Sequence, residues 1–170
     1  MKRHKILALF TPVALLWHAV PTAAQTAAAQ TATPAANAAH TIVAPAAEME
    51  WKDGPGSLPP GAQFVLLQGN PAEAGPLTLR LRFPANHQIP PHIHPASEHV
   101  TVLSGTFHVG MGERMDRTKT TALSAESFAV VPVGHAHYAF TGSEPVTLQL
   151  HSTGPWGVTY VNPADDPRKR

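Results

Sequence analysis

The chain has 170 residues, room for one domain with attachments. Charged residues make up 14% and prolines number 18, which argues against a helical bundle or coiled coil, and a formal charge of +1 gives no reason to expect a nucleic-acid partner. There is no cysteine, which excludes disulfides, thiolate ligands, a cysteine nucleophile and a cysteine-linked lipid anchor.

Residues 1–24 read as a secretory signal. Lys2, Arg3 and Lys5 supply a positive start, residues 6–10 and 13–17 an apolar core, and Pro21-Thr22-Ala23-Ala24 a small-residue cleavage site before Gln25. The apolar run is broken by Pro12 and falls short of the roughly 20 residues that span a bilayer, so no stable membrane anchor is expected after cleavage. Removal of the signal leaves nine basic against eleven acidic residues, a mildly acidic mature chain. The expected location is the periplasm or outside the cell. Residues 25–50 are mostly Ala, Thr, Gln and Pro and bury too little to offset chain entropy, so a disordered linker is expected. The folded domain is then 51–170.

Residues 51–61 hold too many breakers for a helix or a central strand, and should wrap the domain with Trp51 and Leu58 as anchors. A first clear strand covers 64–67. Residues 77–83 alternate, with Leu77, Leu79, Leu81 and Phe83 on one face and Arg80 and Arg82 on a solvated one. Further strands are expected at 100–103, 106–111, 127–131, 137–140 and 146–151, with a polar loop at 113–121. Residues 154–161 should close the domain and 165–170 form a charged tail. Many short strands between Gly and Pro turns, with no helical period, predict an all-β sandwich or barrel.

The chemistry sits between these strands. His92 and His94 are two residues apart, so in extended chain they face the same way and can converge on one metal ion. Pro95-Ala96-Ser97 suits a turn that brings Glu98 back beside them. Pro132-Val133-Gly134 makes a second turn, shortly followed by His137. Three histidines and a glutamate form a nitrogen and oxygen set suited to Fe, Mn, Zn, Ni or Cu.

The spacing His92-x-His94-x3-Glu98-x6-Gly105, then Pro132-x-Gly134-x2-His137, resembles the two motifs of the cupin superfamily, here as a small single-domain exported cupin. The resemblance implies a jelly roll, a double-stranded β-helix barrel, and maps His92, His94, Glu98 and His137 onto the family's four ligands for one divalent metal. Three positions depart from the family pattern: Asn86 and Glu126 stand where Gly often opens the motifs, and Thr141 where Asn often ends the second. All three concern turns rather than ligands. Asn tolerates left-handed backbone, so a turn at Asn86 should survive.

Single-domain cupins include dioxygenases, isomerases and decarboxylases, together with sensing and binding domains, and the fold does not choose among them. Two readings follow: a metalloenzyme, dioxygenase- or isomerase-like, acting on a small organic molecule, or a non-catalytic metal- or ligand-binding cupin. The candidate acid–base groups are His151, Gln149 and Tyr138. A cleft containing His151 or Gln149 would favour the enzyme, and a wholly apolar cavity around the ligands the binding domain. His99 has the opposite strand parity to Glu98 and should face away from the metal. Trp156 and Tyr160 read as core aromatics. A homodimer is in keeping with the family.

Overall fold

The computed structural model describes residues 44–170, and the expected signal segment and residues 25–43 of the expected linker lie outside the described residues. Within them the strands, in chain order, are β1 (Lys52–Asp53), β2 (Gln63–Gln68), β3 (Gly75–Phe83), β4 (Gln88–Ile93), β5 (Glu98–Ser104), β6 (Phe107–Met111), β7 (Thr120–Leu123), β8 (Phe128–Val131), β9 (His137–Thr141), β10 (Val146–Gly154) and β11 (Thr159–Tyr160). They form two antiparallel sheets, ordered β1-β2-β3-β10-β5-β8 and β11-β4-β9-β6-β7. This is the expected all-β, two-sheet cupin-like fold.

The alternation in residues 77–83 produces what period two requires. Leu77, Leu79, Leu81 and Phe83 are buried, while Arg80 and Arg82 lie on the outer face. β10 repeats the pattern with Val146, Leu148 and Leu150 inward, and its register on β3 sets Leu148 opposite Leu81 and Leu150 opposite Leu79. On the far side β10 pairs with β5, setting Leu150 opposite Val100. These residues, with Ile89, Phe107 and Ala139 from the second sheet, fill the space between the sheets.

The outer arginines are not simply solvated. Arg80 Nε donates to Gln149 Oε1 at 3.0 Å, and the Arg82 guanidinium lies 4.0 Å from the Trp51 ring centre. Trp51 and Leu58 act as the anchors expected of the 51–61 segment, with Leu58 6% exposed. Of the linker expected to run to residue 50, the last residues are described: Ala46–Glu48 forms a single 3-10 turn, and Arg80 Nη1 approaches Met49 Sδ at 3.3 Å.

The three departing turn positions all prove to be structural. Asn86 has φ 58° and Glu126 φ 72°, so both adopt the left-handed backbone that glycine would enter without strain. Thr141 is buried, accepts from His87 N at 2.9 Å and donates to the Pro84 carbonyl at 2.7 Å. Its hydroxyl thereby ties the start of the first motif to the end of the second.

Candidate metal centre

β4 and β9 are neighbours in the five-stranded sheet, and their register sets His92 directly opposite His137. His94 lies just beyond the end of β4. Residues 94–97 then cross to the six-stranded sheet, where Glu98 opens β5. The two turns are pinned together by Gly134 N donating to the His94 carbonyl at 3.0 Å. One nitrogen from each of His92, His94 and His137 lies within 4.8 Å of the others. Glu98 Oε2 is 3.6 Å from His94 Nε2 and 3.3 Å from His137 Nε2. All four side chains are buried. The geometry thus brings together all four residues singled out from the motif spacing.

Each imidazole is oriented by a backbone carbonyl at Nδ1: Pro90 for His92 at 2.7 Å, Gly157 for His94 at 2.7 Å, and His135 for His137 at 3.2 Å. A carbonyl can only accept, so Nδ1 must carry the proton, and a neutral ring then presents a bare Nε2. Carbonyl-braced histidines of this kind are a hallmark of metal sites. His94 Nε2 is buried with no hydrogen-bond partner.

The electrostatics agree. Burial, aided by His137 and His94, pushes His92 down to about 3. Burial also lowers His94, against the pull of Glu98. For Glu98 burial acts upward, but contact with His137 and the fields of His94, His137 and His92 outweigh it and hold the carboxyl below its usual range. At neutral pH an ionised carboxylate therefore faces His94 as a lone-pair donor, and their 3.6 Å approach is not a standing ion pair. The bare lone pairs of His92 and His94 converging beside a carboxylate are what a cation would satisfy. The residues fit one metal ion, and the three-histidine cluster is consistent with one.

The cavity beside these ligands measures about 40 Å³. Its remaining wall is almost wholly apolar, including Leu81, Ile89, Val100, Val131, Leu148 and Val158. The three candidate acid–base residues lie outside it, a correction to their sequence-based assignment. His151 is exposed on the outer face of β10, with Nδ1 3.1 Å from Thr78 Oγ1 and Nε2 2.9 Å from Gln149 Nε2. Gln149 shares that face and holds Arg80. Tyr138 is buried, but on the opposite side of β9 from His137, where its hydroxyl donates to the Asp116 carbonyl at 2.8 Å. His99 is exposed, as its parity requires.

Sequence reasoning missed the contribution of the closing segment. Trp156 stacks on His94, with ring centres 4.6 Å apart and planes at 16°. Gly157 braces the same ring, Val158 lines the cavity, and the Tyr160 ring centre lies 5.9 Å from that of His92. The only signal was an aromatic residue inside a Gly and Pro turn, which does not reveal a partner 62 residues away in sequence.

Two antiparallel sheets enclosing three histidines and a glutamate define a cupin with a buried candidate metal site. More narrowly, the chain belongs to the ChrR cupin-like domain family, which matches residues 39–156. Gly157, Val158 and Tyr160 lie just past that match. Comparison with curated proteins gave no match. Among solved structures, the chain is similar to the polyketide cyclase RemF from Streptomyces resistomycificus, with 16% identity, a TM-score of 0.64, and coverage of 76% of this chain and 92% of that one. It is also similar to the DMSP lyase DddQ from Ruegeria pomeroyi DSS-3, with 18% identity, a TM-score of 0.56 and 72% coverage of each chain. An oxalate oxidase gives 22% identity and a TM-score of 0.53 over 75% of this chain and 68% of that one. At these identities the likeness is one of fold.

Proposed function

We propose that this protein is an exported metal-binding cupin that captures a small ligand at one divalent ion held by His92, His94, Glu98 and His137. The observation that carries this reading is the absence of any further acid or base among the described residues lining the cavity. Beyond the four candidate ligands its wall is apolar, apart from the indole of Trp156. Apart from those ligands no side chain there is equipped to move a proton to or from a substrate, so the rest of the wall can orient a ligand and exclude water but not perform acid–base steps. A bound metal would supply Lewis acidity and a point of attachment.

The metalloenzyme reading survives on one feature. Four protein ligands around a six-coordinate ion leave positions open, and a redox metal there could serve oxygen chemistry without a protein base. Metal analysis of the untagged protein recovered from its own compartment tests both. About one equivalent of metal with no oxygen uptake on a panel of diols and diketones favours binding. Uptake that depends on Fe or Mn favours the dioxygenase-like enzyme. No metal, and none taken up on titration at pH 8, would overturn the metal assignment. Fractionation with N-terminal sequencing tests export, with a start near Gln25 as the expected result.

A further inference from the structure

Two of the four candidate ligands, His92 and His137, lie in paired strands and face each other across the β4–β9 register. Strand pairing fixes the side to which their rings point. His94 has no such support, because β4 ends at Ile93 and β5 begins only at Glu98. The Gly134 N–H ties the His94 carbonyl, but that bond leaves the side-chain torsions free. The ring must be held from elsewhere.

One run of chain supplies the hold. Ser152 Oγ donates to the Ser97 carbonyl at 2.9 Å and so fixes the far end of the turn that follows His94. Trp156 covers one face of the imidazole, nearly parallel to it. The next residue, Gly157, offers its carbonyl to Nδ1 at 2.7 Å. Beyond it β11 pairs with β4 and sets Thr159 opposite Ile93, the residue before His94. The run is itself anchored on the loop between β2 and β3. The Trp156 backbone N–H donates to the Pro71 carbonyl at 2.8 Å, and a Cβ on Gly154 would collide with the Glu73 carbonyl, so the close approach there needs glycine. The stack sets the plane of the His94 ring and the carbonyl sets its rotation. Together they leave Nε2 on the side of Glu98, 3.6 Å from Oε2. We propose that Trp156 is a positioning residue for the metal centre, which sets metal affinity by holding the His94 imidazole against its flat face. This deepens the metal-binding reading above and rests on it.

The test measures Zn²⁺ affinity of the full chain by competition with a chelator. Trp156→Leu and Trp156→Met keep an apolar side chain but no flat face, and should bind Zn²⁺ about tenfold more weakly, the lower end of what supports outside the ligand set contribute. Trp156→Phe restores a ring to stack and should stay within about threefold of wild type. Leu77→Ala, buried but not part of the cavity wall, should lose stability in urea and keep wild-type Zn²⁺ affinity. Wild-type affinity in the Leu and Met variants, an equal loss in Trp156→Phe, or a matching loss in Leu77→Ala would each overturn the proposal. A second readout needs no metal. The His94 Nδ1–H proton, identified by its loss in His94→Ala, should give an NMR signal in water for metal-free wild type and Trp156→Phe and vanish in Trp156→Leu. Its absence from wild type would mean the ring is not held, and would overturn the proposal whatever the variants do. Zn²⁺ uptake with equal affinities overturns this proposal alone, whereas a wild type that takes up no Zn²⁺ overturns the metal reading and the proposal with it.

Discussion

Acid should destabilise the metal-free protein well before it titrates ordinary carboxylates. Burial holds His92 down at about 3 in the folded chain, against an ordinary value of 6.5. Between those values the unfolded chain binds a proton at this residue and the folded chain does not, so stability falls as pH falls. From pH 7 to 5 the slope rises toward about 1.4 kcal/mol per pH unit, and the loss comes to roughly 2 kcal/mol from His92 alone. His94 is also lowered and acts in the same direction. Glu98 adds to the loss only below its ordinary value of 4.5, where the unfolded carboxyl takes up a proton first. For a domain whose whole stability is of order 5–15 kcal/mol, this is a large fraction. Urea titrations of chelator-treated protein at pH 7, 6 and 5 measure it. His92→Asn removes the titrating ring and should lose about 2 kcal/mol less than wild type over that range. Parallel pH profiles for the two proteins would refute the claim that a buried neutral imidazole sets the acid sensitivity.

Five substitutions test other parts of the argument. His94→Ala or Glu98→Ala should lose most bound metal while the β-sheet circular dichroism persists, and full metal stoichiometry in both would sink the ligand assignment. Tyr138→Phe should cost about 1 kcal/mol, through the lost hydrogen bond to the Asp116 carbonyl, and leave metal affinity unchanged, since the hydroxyl lies outside the cavity. A changed metal affinity would mean the two sides of β9 are coupled. A Cβ on Gly110 would run into the Tyr138 ring, so Gly110→Ala should destabilise by about 1–3 kcal/mol in urea titration. Glu126→Gly should raise stability by about 0.5–1 kcal/mol, because an exposed glutamate at φ 72° carries left-handed strain that glycine escapes. A fall in its urea midpoint would show that the Glu126 side chain contributes more than its backbone costs.

The sheets were legible wherever one face had to be buried. Residues 77–83 announce themselves by alternation because water lies on one side of β3 and core on the other. β7, which begins at the end of the expected polar loop and runs past it, gave no such sign. It is an edge strand with no buried residue, and its pairing with β6 is imposed by the neighbour rather than by its own apolar pattern. The charged tail hides structure for a similar reason. Asp166 and Arg168 form a two-pronged pair at 2.7 and 2.8 Å, and Arg168 reaches the Val158 carbonyl at 3.0 Å, a contact that composition cannot foretell.

The site divides along the same line. Its four candidate ligands follow from local spacing, because strand geometry and two short turns fix where those side chains point. The outward placement of the candidates Gln149 and His151 was readable from the strand. With Leu148 and Leu150 inward on β10, the residues between and after them must face out, and polar side chains on the outer face cannot reach the cavity. Tyr138 is the subtler case. Parity sends it away from His137, yet it is 1% exposed because the segment 112–119 covers it, so burial alone is a poor guide to which side of a sheet a residue serves. Trp156 inverts that lesson. Its class as an apolar aromatic was correct, but the ring it stacks on became visible only once folding set it against His94. Ligand spacing is a property of a few consecutive residues, and the wall that selects what the ligands meet is assembled from segments distant in sequence.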